Sequence, residues 1–162
     1  MKRFDGKVAL VTGAARGLGR VTAQAFAREG AKVVAADIDE AGGEATMSLI
    51  RDEGAEALFI RADVGVESDV AALIDQTVDA YGRLDCAVNN AGVVRFTPLV
   101  EETAAGFDFH LHTNLRGVFY CMKHEIRQML KNGGGAIVNQ SSITGSLTGN
   151  PGESAYTKGS IV

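Results

Sequence analysis

Short apolar, β-branched runs alternate with longer amphipathic ones along this chain, and glycines close the longer runs. That alternation permits few folds. An apolar run too short for a helix reads as a strand buried on both faces. Such runs fall at residues 7–12 (KVALVT), 32–36 (KVVAA), 56–61, 85–88 and 136–140 (AIVNQ). Helical spacing begins at Gly17 and recurs over 40–53, 67–81 and 103–131. The helices stop at Gly30, Gly54, Gly82 and Gly133, the residue suited to a left-handed position after a helix. In the first helix Leu18, Val21, Ala25 and Phe26 mark the expected apolar face. In the long fourth one Phe107, Leu111, Leu115, Val118, Met122, Ile126 and Met129 do so. A loop through Asn150, Pro151 and Gly152 leads to a further helix near Ser154. Strands joined through helices pair in parallel, and right-handed crossovers put helices on both faces. The expected fold is α/β, a doubly wound parallel sheet in one domain, with ligands at the carboxyl ends of the strands.

Composition narrows the function. The 16 basic and 20 acidic residues leave a net charge of −4, whereas a nucleic-acid partner calls for a basic surface. No run nears the ~18 apolar residues of a membrane helix, and the start lacks the apolar stretch of a secretory signal. Cys86 and Cys121 lie in apolar surroundings without metal-ligand spacing, so the expected compartment is the reducing cytoplasm. His110 and His112 are two residues apart, a poor metal pair on a helix; no metal is expected.

The chemistry-bearing residues gather at the predicted strand ends. Thr12-Gly13-Ala14-Ala15-Arg16-Gly17-Leu18-Gly19 bridges the first strand and helix. Glycines there let the backbone turn tightly and approach a pyrophosphate, which the helix amino terminus attracts. Asp37 ends the second strand, 18 residues after Gly19. A carboxylate at that position accepts from both hydroxyls of an adenosine ribose and repels a 2′-phosphate, favouring NAD over NADP. Arg16 argues for NADP but has a less defined position. Asp63, Asn89–Gly92 and Ser141-Ser142 follow the later strands.

In this order the motifs resemble the short-chain dehydrogenase/reductase family. They comprise TGxxxGxG (Thr12 to Gly19), Asp37, Asp63-Val64, NNAG (Asn89 to Gly92), Asn114 in NLRG, Ser141-Ser142 and Ala155-Tyr156. The resemblance spans the chain and implies a Rossmann-type, NAD(P)-binding domain over residues 1–162. It further implies an oxidoreductase acting on a small-molecule secondary alcohol or ketone, as a homodimer or homotetramer paired through the long helix and its successor. Gly13, Gly17 and Gly19 would hold the pyrophosphate of the coenzyme, with Leu18 as a further coenzyme contact and Arg16 within reach of a 2′-phosphate. Carried over by position, Asp63 and Val64 would hold the adenine. Asn89, Ala91 and Gly92 would line the ribose path and brace the central strands. Asn114 would sit at a break in the long helix and help hold a water near the catalytic lysine. Ser142 would bind the substrate oxygen, and Tyr156 would be the acid/base. Tyrosine, with an ordinary pKa near 10, is a poor base at neutral pH. A lysine ammonium and a positive nicotinamide favour its phenolate.

Two departures from the family pattern stand out. The family reads Tyr-x-x-x-Lys, whereas Lys158 follows Tyr156 by two residues. Two helical steps turn a side chain by about 200°, four by about 40° net, so Lys158 does not support Tyr156 from a regular helix. The usual strand order 3-2-1-4-5-6 also needs a sixth strand, so the fold reads as cut short before it, with the fifth strand an apolar edge. Either the sequence is incomplete, between Thr157 and Lys158 and beyond Val162, or the chain binds nucleotide while catalysing little.

Overall fold

The computed structural model describes residues 2–146 and Tyr156. The loop expected at 150–152, the helix near Ser154 and Lys158 lie outside the described residues. The elements run β1 (Val8–Thr12), α1 (Gly17–Arg28), β2 (Lys32–Asp37), α2 (Glu40–Asp52), β3 (Ala57–Arg61), α3 (Glu67–Tyr81) and β4 (Cys86–Asn89). After a 3-10 turn (Leu99–Glu101) come α4 (Ala104–His110), a π-helical segment (Leu111–Gly117), α5 (Val118–Lys131), β5 (Ala136–Asn139) and the short α6 (Ile143–Ser146).

All the strands pair in parallel, in the order β3-β2-β1-β4-β5. The order reverses between β1 and β4, which opens a crevice at their carboxyl ends. Strand alternation divides the core in two. Val8, Leu10, Val34, Ala36 and Ile60 pack with Leu73 and Ile74 of α3 and Met129 of α5. Ala9, Val11, Val33 and Ala35 face Ala23 and Ala27 of α1 and Met47 and Ile50 of α2. β1 is buried along its whole length, and β5 lies at the sheet edge with Val138 exposed.

Two expectations need correction. The buried stripe of α1 is Gly19, Ala23 and Ala27; Leu18 and Val21 stand 69% and 59% exposed. The cause is Gly19, where a Cβ would collide with the carbonyl oxygen of Gly13. The helix starts so close to the first turn that its smallest residues must face the sheet. The long helix over 103–131 is interrupted around Asn114, where the family resemblance puts a break: Thr103 caps its start by accepting from Gly106 N, and the π segment widens its middle. Its apolar stripe is also only partly buried, since Phe107, Leu115 and Ile126 are exposed while His110, Asn114, Cys121 and Glu125 are buried.

Candidate active site

The loop between β1 and α1 is built against β4. Gly13 (φ 66°) lies where a Cβ would meet Ala91 Cα at 2.8 Å. Asn90 Nδ2 donates to the carbonyls of Thr12 (3.0 Å) and Gly13 (3.2 Å), and Thr12 Oγ1 accepts from the backbone N–H groups of Asn90 and Ala91. The sequence pattern alone assigns no role to Asn90 or to the Thr12 hydroxyl, although both lie inside its motifs. Gly17 differs: its φ is 56° and a Cβ would meet nothing within 4 Å. Arg16 takes the position before α1 with an extended backbone and no capping side chain, and the first turn of α1 contains no acid. By contrast α2 is capped by Asp39, and α3 has Glu67 and Asp69 in its first turn. The start of α1 therefore presents unpaired N–H groups and a partial positive charge to open space, a set of donors that fits a phosphate.

Asp37 closes the other side of this turn. Its Oδ2 accepts from Ala15 N at 2.9 Å and its Oδ1 from Asp39 N at 3.0 Å. A carboxylate has about four lone-pair sites, so two remain for further donors. Arg16 is exposed. Arg20, expected on the polar side of α1, instead ties the loop to α2, donating to Thr46 Oγ1 at 2.9 Å and to the carbonyls of Ala15 and Gly42. The basic side chain inside the helix start was the available signal, and an ordinary surface arginine gives the same one.

Asp63 follows β3, with Oδ1 accepting from Gly65 N (2.9 Å) and Oδ2 lying 3.2 Å from His112 Nε2. Val64 is buried, and a Cβ on Gly117 would approach its Cγ2 at 2.7 Å. Asp63 and Val64 thus meet the π segment. Asn114, inside that segment, pairs both ends of its amide with Val93: Oδ1 accepts from Val93 N at 2.8 Å and Nδ2 donates to Val93 O at 2.9 Å. His110 is fully buried and adds a second clamp on the same loop. Its Nε2 lies 2.9 Å from Arg95 N and its Nδ1 2.9 Å from Gly106 O. One nitrogen faces a donor and the other an acceptor, which is the pattern of a neutral Nδ1–H imidazole. Gly92 is exposed beside Asn114 Oδ1.

Asn89 is buried where β4 ends; its Nδ2 donates to Glu125 Oε2 and Asn139 Oδ1, both at 3.0 Å. Burial pushes the Glu125 carboxyl up to about 7, against the opposing pull of the Asn89 hydrogen bond. Burial also raises the thiols of Cys86 and Cys121 and so removes them as nucleophiles. Past β5, Ser142 is half-buried and its Oγ accepts from Thr144 N at 3.3 Å. That bond leaves the hydroxyl proton to donate elsewhere. Tyr156 is half-buried and helical. Among the described residues no cluster of His, Cys, Asp or Glu could hold a metal, and no helix is long and apolar enough to cross a membrane.

A doubly wound sheet with a glycine turn at its first strand and NNAG at its switch point defines a class of nucleotide-binding enzymes, and sequence comparison places the chain within it. Residues 7–159 match the model of the short chain dehydrogenase family, and the chain belongs to that family. It is 44% identical over 154 residues to an uncharacterized oxidoreductase of Thermotoga maritima, covering 95% of this chain and 60% of that protein. It is 41% identical to a 3beta-hydroxysteroid dehydrogenase of Mediterraneibacter gnavus, covering 96% of this chain and 56% of that protein. A solved structure of NAD+-bound xylitol dehydrogenase superimposes with a TM-score of 0.95 at 34% identity, covering 99% of this chain and 62% of that one. The chain therefore spans 60% and 56% of the length of these two curated relatives.

Proposed function

We propose that this chain forms the NAD-binding and catalytic part of an enzyme interconverting a secondary alcohol and its ketone. The observation that carries the reading is the uncapped, acid-free start of α1, open at Gly17 and joined through Ala15 N to the carboxylate of Asp37. Gly13, Gly17, Leu18 and Gly19 would hold the pyrophosphate, Asp37 the adenosine ribose, and Asp63 with Val64 the adenine. Asn89, Ala91 and Gly92 would line the path towards the nicotinamide, with Asn114 fixing the loop beyond them. Asp37 favours NAD, because its charge repels a 2′-phosphate; the NAD+-bound state of the xylitol dehydrogenase supports this. When bound, the coenzyme supplies a hydride acceptor or donor.

The chain's own residues manage the proton and the oxygen. Ser142 donates its hydroxyl proton to the substrate oxygen and steadies the charge developing there. Tyr156 takes the alcohol proton in oxidation and returns it in reduction. Oxidation starts from the phenolate and reduction starts from the phenol and leaves the phenolate, so a nearby cation that favours that form assists both directions. We further propose a second copy of the chain as partner, forming a homodimer or homotetramer through the exposed apolar stripe of α5. Two free cysteines suit the cytoplasm.

Titration with NADH and NADPH, followed by coenzyme fluorescence, tests the reading. NADH binds more tightly, and Asp37→Ala removes at least tenfold of that preference. Tyr156→Phe abolishes turnover while sparing NADH binding; full activity in that variant refutes the acid/base role. The two-residue spacing of Tyr156 and Lys158 favours a second reading, a nucleotide-binding protein with impaired catalysis. It predicts NADH binding without turnover across a panel of alcohols and ketones.

A further inference from the structure

Glu125 takes no part in the chemistry above, yet it is the most enclosed acid of the described chain. It is fully buried and is the one acidic residue of α5. Its Oε2 accepts from Asn89 Nδ2, which also donates to Asn139 Oδ1. The Asn89 carbonyl oxygen in turn accepts from Gln140 N at 2.9 Å. Two buried oxygens are left without any partner among the described residues, Asn89 Oδ1 and Glu125 Oε1. Both belong to groups already joined at their other atom. With Glu125 ionised, both are acceptors facing no donor, and one carries charge, a costly arrangement in a buried site. Protonation of Glu125 would remove the charge and turn Oε1 into a donor, the kind of partner that Asn89 Oδ1 lacks, while Oε2 still accepts from the Asn89 amide.

We propose that Glu125 is held as a neutral carboxylic acid paired with the Asn89 amide, and that this pair is a positioning device for the carboxyl ends of β4 and β5. β4 continues into Asn90–Gly92 and β5 into Ser142, so the pair fixes the two strand ends on which substrate and nicotinamide would meet. The positioning role rests on the function proposed above; the protonation does not.

The surroundings agree. No charged neighbour contributes to the upward displacement of the Glu125 carboxyl, which burial drives. On α5 itself the buried Cys121 thiol is raised, and Lys123 and His124 face Glu67 of α3. Asp75 and Asp79 of α3 are exposed, and Asp69 accepts from Asp63 N. In the π segment His112 meets Asp63 and Arg116 is exposed. β4 contributes only Cys86, its thiol raised by burial, and β5 contains no ionisable side chain.

The test compares wild type with Glu125→Gln and Glu125→Ala in the full chain. Glutamine keeps one acceptor and gains a permanent donor, so E125Q preserves the pair without a titratable proton. Infrared difference spectra of the wild type should show the carbonyl stretch of a protonated acid, lost as pH rises through about 7 and absent from E125Q. A carboxyl raised in the folded state stabilises it fully below the ordinary value of 4.5, and that stability is lost as pH rises to about 7. The unfolding constant of the wild type, relative to E125Q, therefore rises by up to about tenfold per pH unit within that window. E125A should lower kcat about tenfold, as for one lost buried hydrogen bond, with NADH affinity unchanged; E125Q restores kcat. An absent acid band, pH slopes that match between wild type and E125Q, or an E125Q protein that fails to fold overturns the proposal. A wild type without turnover defeats the enzymatic reading instead, and the band and slope still decide the protonation.

Discussion

Gly19 and Gly17 stand two residues apart and do different work. At Gly19 the backbone is ordinary and space is the constraint: the Gly13 carbonyl oxygen and, at 2.6 Å, Asn90 Nδ2 crowd the place an alanine Cβ would take. At Gly17 space is free and the backbone is the constraint, at φ 56°. Gly19→Ala must push α1 off the turn and disturb the Asn90 bonds, an overpacking cost of about 1–3 kcal/mol. NADH affinity should fall at least tenfold, with a clear drop in melting temperature. Gly17→Ala costs about 1–2 kcal/mol of left-handed strain, yet its methyl projects into the space a phosphate would enter. It should therefore lose as much affinity as Gly19→Ala. Thermal melts and NADH titrations of both variants check this; full affinity in Gly17→Ala would remove the phosphate from that loop.

The long helical arm from α4 through α5 illustrates how one apolar stripe can mix two sides: of the residues that the sequence groups on one face, Val118 and Met129 are buried while Phe107, Leu115 and Ile126 are exposed. Leu115, Phe119, Ile126 and Leu130 stand 43%, 61%, 42% and 74% exposed. On one helix their positions differ by no more than about 60° of rotation. They form a single outward row, while the sheet-facing side is lined by Gly117, Cys121, Glu125 and Gln128. Hydrophobicity alone does not separate the two sides, because the outward row is wholly apolar while the buried side joins Val118 and Met129 to small or polar residues. The same cause hid the orientation of α1, whose inner residues are glycine and alanine. The alternation of strands and helices was legible because it depends on run length and punctuation, and NNAG and the glycine turn because they depend on order. The Glu125–Asn89 pair was not legible, since a glutamate amid Lys123, His124 and Arg127 reads as a solvated face. A row of this size on a free chain favours self-association. Phe119→Asp with Ile126→Asp should lower the mass in light scattering to that of one chain. Both side chains are already exposed within a single copy, so folding stability should shift by no more than about 0.5 kcal/mol. A wild type that is monomeric at high concentration would contradict the proposed assembly.

Two acids at opposite ends of the sheet give the fold opposing responses to pH. Asp85 lies where β1, β4 and β5 begin. Its Oδ2 accepts from Val8 N at 3.0 Å, its backbone joins Val8 O and Ala136 N, and its carboxylate meets Arg83 and Lys7. Burial pushes its carboxyl up, but the Arg83 hydrogen bond, the Val8 N–H and the two cations together hold it below the ordinary value of 3.8. A carboxyl lowered by folding contributes stability that is present above its unfolded value and lost as pH falls through the folded one. Glu125 works in reverse, its contribution fading as pH rises from 4.5 to about 7. Between them these groups favour a narrow optimum at roughly pH 4–5, on the acid side of the usual 5–8. Glu29, Glu53 and Glu67 are also lowered by their cation partners, but as exposed pairs they add little. Asp85→Asn should cost about 1–2 kcal/mol at neutral pH and flatten the acid limb of the melting profile while leaving the upper limb intact. Glu125→Gln should do the converse, and the double variant should melt almost independently of pH between about 3 and 7 if both limbs have these origins. A double variant that keeps either slope assigns that slope to other groups.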